Sequence, residues 1–200
     1  MPSGPTSYFL RFCQVDASSQ FWTSEQQGQI RLPDPIVIPG ESMVVGHEKE
    51  IQLGVWSFGI TQPVVSTLGG GQSVGRASFT DFSISLPGQV ASPKLLQKMA
   101  QGSMIKAAIV SAERTATLQE DVSAASGSGS KGGQIYIMWC FYDLMVSSYS
   151  DSGVSQGGMP MQHITLRFAA ARVLYRQYDR TGKPVGWNPF LWDIRGNVRK

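Results

Sequence analysis

The chain has 200 residues, of which 42% are apolar and only 16% charged, and its net charge is +3. A chain of this length typically buries about 70% of its unfolded surface, which excludes disorder as the main state. The net charge is too weak to argue for a nucleic-acid partner, which needs a clustered basic stripe. Charge this far below the roughly 25% of ordinary domains leaves the surface to neutral polar residues, loops or other copies of the chain.

The first seven residues, Met1 to Ser7, carry neither a basic region nor an apolar core, so they do not read as a secretory signal. No apolar run is long enough to span a membrane. The expectation is a soluble chain made in the cytoplasm and, if it leaves the cell, secreted without a cleavable signal peptide. Arg195 to Lys200 reads as a solvated basic tail. Cys13 and Cys140 do not make a disulfide framework; they read as small buried residues, and whether they pair stays open.

In chain order, Ser7–Val15 reads as an aromatic-rich strand. Positions 16–48 read as a long loop with Pro33, Pro35 and Pro39, holding at best a short edge strand at Ile36–Ile38. Lys49–Thr61 is a strand whose apolar parity changes: Ile51, Leu53 and Val55 first, then Trp56, Phe58 and Ile60. Such a change means a bulge or a crossing between packing environments. Arg76–Leu86 repeats it, with Ala77 and Phe79 followed by Phe82, Ile84 and Leu86. A glycine-rich loop over 64–75 joins the two strands. Ser92–Gly102 is the one helix, with Ser92 as cap, Pro93 in the first turn, Gly102 as stop, and a stripe of Leu95, Leu96 and Met99. Met104–Thr117 reads as a strand, and a Ser/Gly-rich insertion follows at 119–133. Gln134–Ser148 is apolar at both parities, as in a central strand covered on both faces. A turn at Ser150–Gly158, a long strand at Gln162–Tyr178, a turn at Asp179–Gly182 and a closing segment at Gly186–Val198 complete the chain. Seven or so strands and one short flanking helix make a mainly β fold, an antiparallel barrel or sandwich, in a single domain over 1–200.

Chemistry is sparse. His47 and His163 are the only histidines and lie in no cluster with metal-ligand spacing; His163 reads as a surface residue. The run Gly69-Gly70-Gly71-Gln72-Ser73-Val74-Gly75-Arg76 is neither a P-loop nor followed by a helix N-terminus. A nucleophile elbow is lacking, and Asp81, Glu113 and Asp143 read as turn and rim acids. No catalytic, cofactor-binding or metal-binding residue is assigned, and no cofactor is expected. Trp56, Trp139, Trp187 and Trp192 read mainly as core.

The run Glu50-Ile51-Gln52-Leu53-Gly54-Val55-Trp56-Ser57-Phe58-Gly59 resembles the second-strand signature of the Hcp family, the haemolysin-coregulated tube proteins of type VI secretion. The glycine-rich loop, the strand after it, the Ser92-Pro93-Lys94-Leu95-Leu96 helix opening and strands like Ile135–Val146 and Ile164–Tyr175 follow in the family's order. Either Gly186-Trp187 or Trp192-Asp193 matches its closing strand. The resemblance covers residues 7–15 and 48–198; the long loop at 16–48, the insertion at 119–133 and Asn188–Leu191 depart from the pattern.

The resemblance implies a β-barrel with one flanking helix. It further implies hexameric rings stacked as the inner tube of a contractile machine, with sheath, baseplate and spike proteins as partners and effectors as candidate cargo in the lumen. It implies no enzyme, nucleic-acid partner or membrane partner. On that reading Leu68, Gly69, Gly70, Gly71, Gln72, Ser73, Val74, Gly75 and Arg76 form the candidate ring-stacking loop. Two alternatives stand beside it: a tail-tube subunit of a phage or extracellular contractile particle, and a soluble β-sandwich sugar-binding module.

Overall fold

A computed structural model describes residues 6–16, 32–66, 72–114, 134–153, 158–178, 184–196 and 198–199. Among these are fifteen strands and one helix: β1 (Thr6–Cys13), β2 (Ile36–Ile38), β3 (Ile51–Leu53), β4 (Val55–Ser57), β5 (Ile60–Thr61), β6 (Val64–Ser66), β7 (Gln72–Val74), β8 (Ser78–Phe79), β9 (Phe82–Pro87), α1 (Ala91–Ala100), β10 (Ile105–Arg114), β11 (Gln134–Ser152), β12 (Met161–Arg167), β13 (Ala170–Tyr178), β14 (Pro184–Asp193) and β15 (Val198–Arg199). The expected insertion at 119–133, residues 17–31 of the loop at 16–48 and the turn at 179–182 lie outside the described residues.

The main sheet is antiparallel. Its ladders run β3–β1–β10–β11, continue through β12 to β9 and β4, and carry β13, β14 and β15 from the first half of β11. The two ends of the path β1–β10–β11–β12–β9–β4 are bridged by the bent segment 51–57, in which β3 pairs with β1 and β4 with β9. The sheet therefore curls around an interior core. The parity change sits at that bend: Leu53 is buried, Val55 is exposed and Trp56 turns inward.

Two apolar clusters explain the strand sequences. Leu10, Phe12, Phe82, Ile84, Leu86, Phe141, Leu144, Ile164 and Leu166 fill the interior. Cys13, Ile109, Met138, Cys140, Tyr142 and Leu174 form a second cluster on the other side of β1, β10 and β11. The both-parity apolar text of β11 thus serves two buried faces, as its sequence predicts. Burying each large side chain contributes about 1.5–3 kcal/mol relative to exposure. The thiols are free. Cys13 faces Ala107 and Cys140 faces Ile109 across the intervening β10, so they sit two strand spacings apart, about 10 Å, beyond the reach of a disulfide.

Four sequence expectations change. The long strand at Gln162–Tyr178 breaks at Phe168–Ala169, opposite Asp143, which has a φ of 49°. There the sheet divides, β12 pairing on to β9 and β13 on to β14. Ser150–Gly158 is not all turn, because β11 runs on to Ser152 to pair with β12. The helix starts at Ala91, and Val90 rather than Ser92 is its cap residue. The capping acceptor comes from afar: Val90 N–H donates to Glu41 Oε1 at 2.8 Å. Ser92 is buried instead, accepting from Gln89 N–H at 3.1 Å and donating to Gln162 Oε1. Of the expected apolar stripe only Leu95 is buried; Leu96 and Met99 face solvent. Gly102, at φ 59°, ends the helix as expected.

Candidate assembly surfaces

Beyond Phe58 the chain leaves the sheet as a narrow arm. Among the described residues β5 pairs only with β8, and β6 only with β7. Gly59 and Thr80 close its base: Gly59 N–H donates to Thr80 Oγ1 at 2.7 Å, and Thr80 N–H to Gly59 O at 2.9 Å. The second parity change falls at this point, where the chain passes from β8 in the arm to β9 in the curled sheet. Further out, Gly75 N–H donates to Pro63 O at 2.9 Å. A Cβ on Gly75 would lie 2.6 Å from Pro63 Cγ, so the close approach needs glycine here. Ile60 and Val64 are exposed along the arm, although the sequence pattern placed Ile60 on an apolar face. A two-stranded ribbon is marginal alone in water. Of the candidate loop, Leu68 to Gly71 lie outside the described residues, Gln72 to Val74 form β7, and Gly75 and Arg76 lead back to the sheet.

A second feature is the turn between β2 and β3. Met43, Val44 and Val45 stand out from it, Met43 at 91% exposure. Its backbone is tied by Ser42 N–H to Glu50 O at 3.0 Å, Lys49 N–H to Ser42 O at 2.9 Å and His47 N–H to Val44 O at 2.9 Å. Gly40 is pressed against the backbone of Glu50, where a Cβ would overlap it. Underneath lies a buried ionic cluster. Arg11 Nε donates to Glu50 Oε1 at 2.7 Å, and His47 Nδ1 lies 2.7 Å from Glu50 Oε2. His47 Nε2 lies 3.5 Å from Glu113 Oε2, and the ring stacks on Phe9 with centroids 4.0 Å apart. Arg11 also donates to Asp34 Oδ1 and Pro33 O. Buried charges persist only when paired and hydrogen-bonded, so this cluster locks the turn onto β1 and β10.

Sequence reasoning missed this cluster. The signal was Arg11 in the apolar text of β1, since a charge on a buried strand demands a partner. The partner, Glu50, lies 39 residues away and only the fold brings it in.

At the arm's base, Arg76, Phe79, Asp81, Arg167, Phe168 and Ile194 are among the residues that line a cleft of about 400 Å³. Phe79 and Phe168 meet edge to face at 6.4 Å. Arg76 donates to Ile194 O at 2.6 Å, and Asp81 accepts from Ser147 Oγ at 3.2 Å. The three rim acids of the sequence reading are not brought together: Asp81 meets Ser147, Glu113 meets His47, and Asp143 pairs with Arg195 and Lys106. His163 is exposed, with Nδ1 2.7 Å from Ser85 Oγ. It belongs to the outer face of β4, β9, β12 and the end of β11, where Ser57, Ser83, Thr165 and Ser148 form one cross-strand row, and Val55, Ser85, His163 and Ser150 the next. Among the described residues no three His, Cys, Asp or Glu side chains are placed to hold a metal, and no helix is long and apolar enough to cross a membrane.

A family model described as "Type VI secretion system effector, Hcp" matches residues 26–175. The chain belongs to the Hcp family of type VI secretion tube proteins. Membership makes it a structural tube protein and not an enzyme, and it selects type VI secretion over the phage-tail and sugar-binding readings. Solved structures show the same fold. A "type six secretion system protein" superposes with a TM-score of 0.71 at 20% identity, covering 98% of this chain and 100% of that one. Hcp1 from Salmonella typhimurium gives 0.64 at 21% identity over 98% and 99%. A type VI secretion effector from Yersinia pestis gives 0.56 at 19% over 94% and 99%. No curated protein sequence matches the chain.

Proposed function

We propose that this Hcp-family chain forms six-membered rings that stack into the inner tube of a type VI secretion machine, with residues 68–76 bearing part of the ring-to-ring contact. The observation that carries the reading is the arm, a strand pair with exposed apolar residues on a sheet that otherwise buries its core twice. Such a ribbon gains order when a neighbour covers it, so stacking is weak between isolated rings and cooperative on a template. A ring of identical subunits uses a heterologous contact that closes by rotation, and stacking needs a second, separate contact.

The hydroxyl-lined outer face of β4, β9, β12 and β11 suits a lumen wall, since a surface with few fixed charges holds no passenger tightly. On this reading the protein is made in the cytoplasm, is ejected by the sheath with the spike at its head, and carries effector cargo.

Negative-stain electron microscopy across a concentration series tests the proposal: six-fold rings with an open centre, stacking at higher concentration, are expected. Small compact monomers at every concentration would refute it. Gly70→Pro combined with Gly71→Pro is expected to spare rings and impair tubes; loss of both together, or of neither, would remove the assignment of the loop.

A further inference from the structure

The exposed tip and the arm-base cleft lie at opposite ends of one strand. The Phe82 end of β9 follows directly on Thr80 and Asp81 in the cleft wall. Its Pro87 end leads through Gly88, whose N–H donates to Pro160 O at 2.9 Å, to Val90, which is held by Glu41 beside the tip. Five residue steps at about 3.3 Å place the two ends roughly 17 Å apart along the strand. The surfaces are also complementary. The tip offers three exposed apolar side chains, Met43, Val44 and Val45, and the cleft offers Phe79 and Phe168 as an apolar floor. Glu41 and Glu48 against Lys49 leave the tip one negative, and Arg76 and Arg167 against Asp81 leave the cleft one positive. Neither cleft guanidinium meets a carboxylate among the described residues, and Asp81 is engaged by Ser147.

We propose that the Met43–Val45 tip of one copy seats in the arm-base cleft of the next copy, a head-to-tail contact between stacked rings. The proposal rests on the stacking reading above and names the surfaces that it uses. A contact joining two different patches at opposite ends repeats without limit along an axis, as a tube requires. The arm leaves the same end as the cleft, so the end of the next copy that meets the arm is the one bearing the tip. The buried cluster of Arg11, His47, Glu50 and Glu113 fixes the tip before contact, which lowers the ordering cost of docking.

The test is a double-cysteine variant, Val45→Cys with Ser78→Cys, assembled and then oxidised; the native thiols are buried and stay out of the reaction. The expected product is a ladder of disulfide-linked chains longer than six, requiring both cysteines. A second measurement uses charge: Glu48→Arg and Arg167→Glu should each shorten tubes several-fold while rings persist, and the two combined should restore length. Rings and tubes that form normally without cross-links, or with products stopping at six, overturn the proposal and leave the tube reading standing. Failure of the unmodified protein to form rings or tubes overturns both.

Discussion

Removing Glu50 tests whether the buried ionic cluster fixes the tip. The carboxylate is fully buried and meets Arg11 Nε and His47 Nδ1, each at 2.7 Å. In Glu50→Ala both partners lose it at once. Breaking a buried pair by deleting one member costs about 3–5 kcal/mol, because the remaining charge stays out of water. Arg11 retains Asp34 and Pro33 O, and Asp34 is 70% exposed, which places the expected loss near the lower end, about 3 kcal/mol. For a chain of this length that corresponds to a fall in Tm of roughly 6–12 °C. The assay is thermal and guanidinium unfolding at one fixed protomer concentration, since self-association would otherwise shift the apparent stability. Hydrogen exchange supplies the local readout: the Ser42 and Lys49 amides should lose protection before the β10–β11 ladder does. A loss under about 1 kcal/mol, the worth of an exposed pair, would refute the reasoning, as would unchanged protection of the turn.

Phe141→Ala should destabilise by about 3–5 kcal/mol, because the ring is fully buried and packs on Phe82 at 4.5 Å, Phe168 at 4.9 Å and Phe58 at 5.3 Å; a denaturant midpoint unchanged from the parent would contradict this packing. Burial pushes the Cys13 thiol up to about 12 and raises that of Cys140 as well. Both thiols should therefore resist a thiol-reactive dye at pH 8 in the native protein and react on unfolding. The same shift makes stability fall as pH rises from about 9 towards 12, where the unfolded chain releases thiol protons that the native state retains, by up to about 1.4 kcal/mol per pH unit for each thiol. Fast native labelling of either cysteine would show that the second cluster is open.

Local pattern was enough for most of the elements. The alternation in Phe82–Leu86, the double apolar parity of β11 and the glycine stop at Gly102 each follow from how one residue and its near neighbours present themselves to a core. The parity changes near Gly54 and Thr80 were legible as bends, because a period of two cannot shift without an extra residue. The ordered series of short motifs also carried the family, which the match over 26–175 establishes.

What the sequence could not show was anything that depends on residues far apart in it. A local capping rule sees only neighbours and so predicts Ser92 as the cap; the acceptor is Glu41, 49 residues from Val90. Spacing puts Leu96 and Met99 on one apolar stripe with Leu95, yet the sheet covers α1 over a narrower stripe and leaves both exposed. Arg11, Glu50, His47 and Glu113 come from three separate segments, and no spacing rule joins them. The same holds for the tip and the cleft, whose positions at opposite ends of β9 arise from the curl of the sheet. By itself the sequence determined strands, bends and lineage, since these are written in short-range periodicity. The tertiary structure alone decided which charges are buried together and which surfaces face outward at each end, because burial and long-range pairing exist only once the chain has closed on itself.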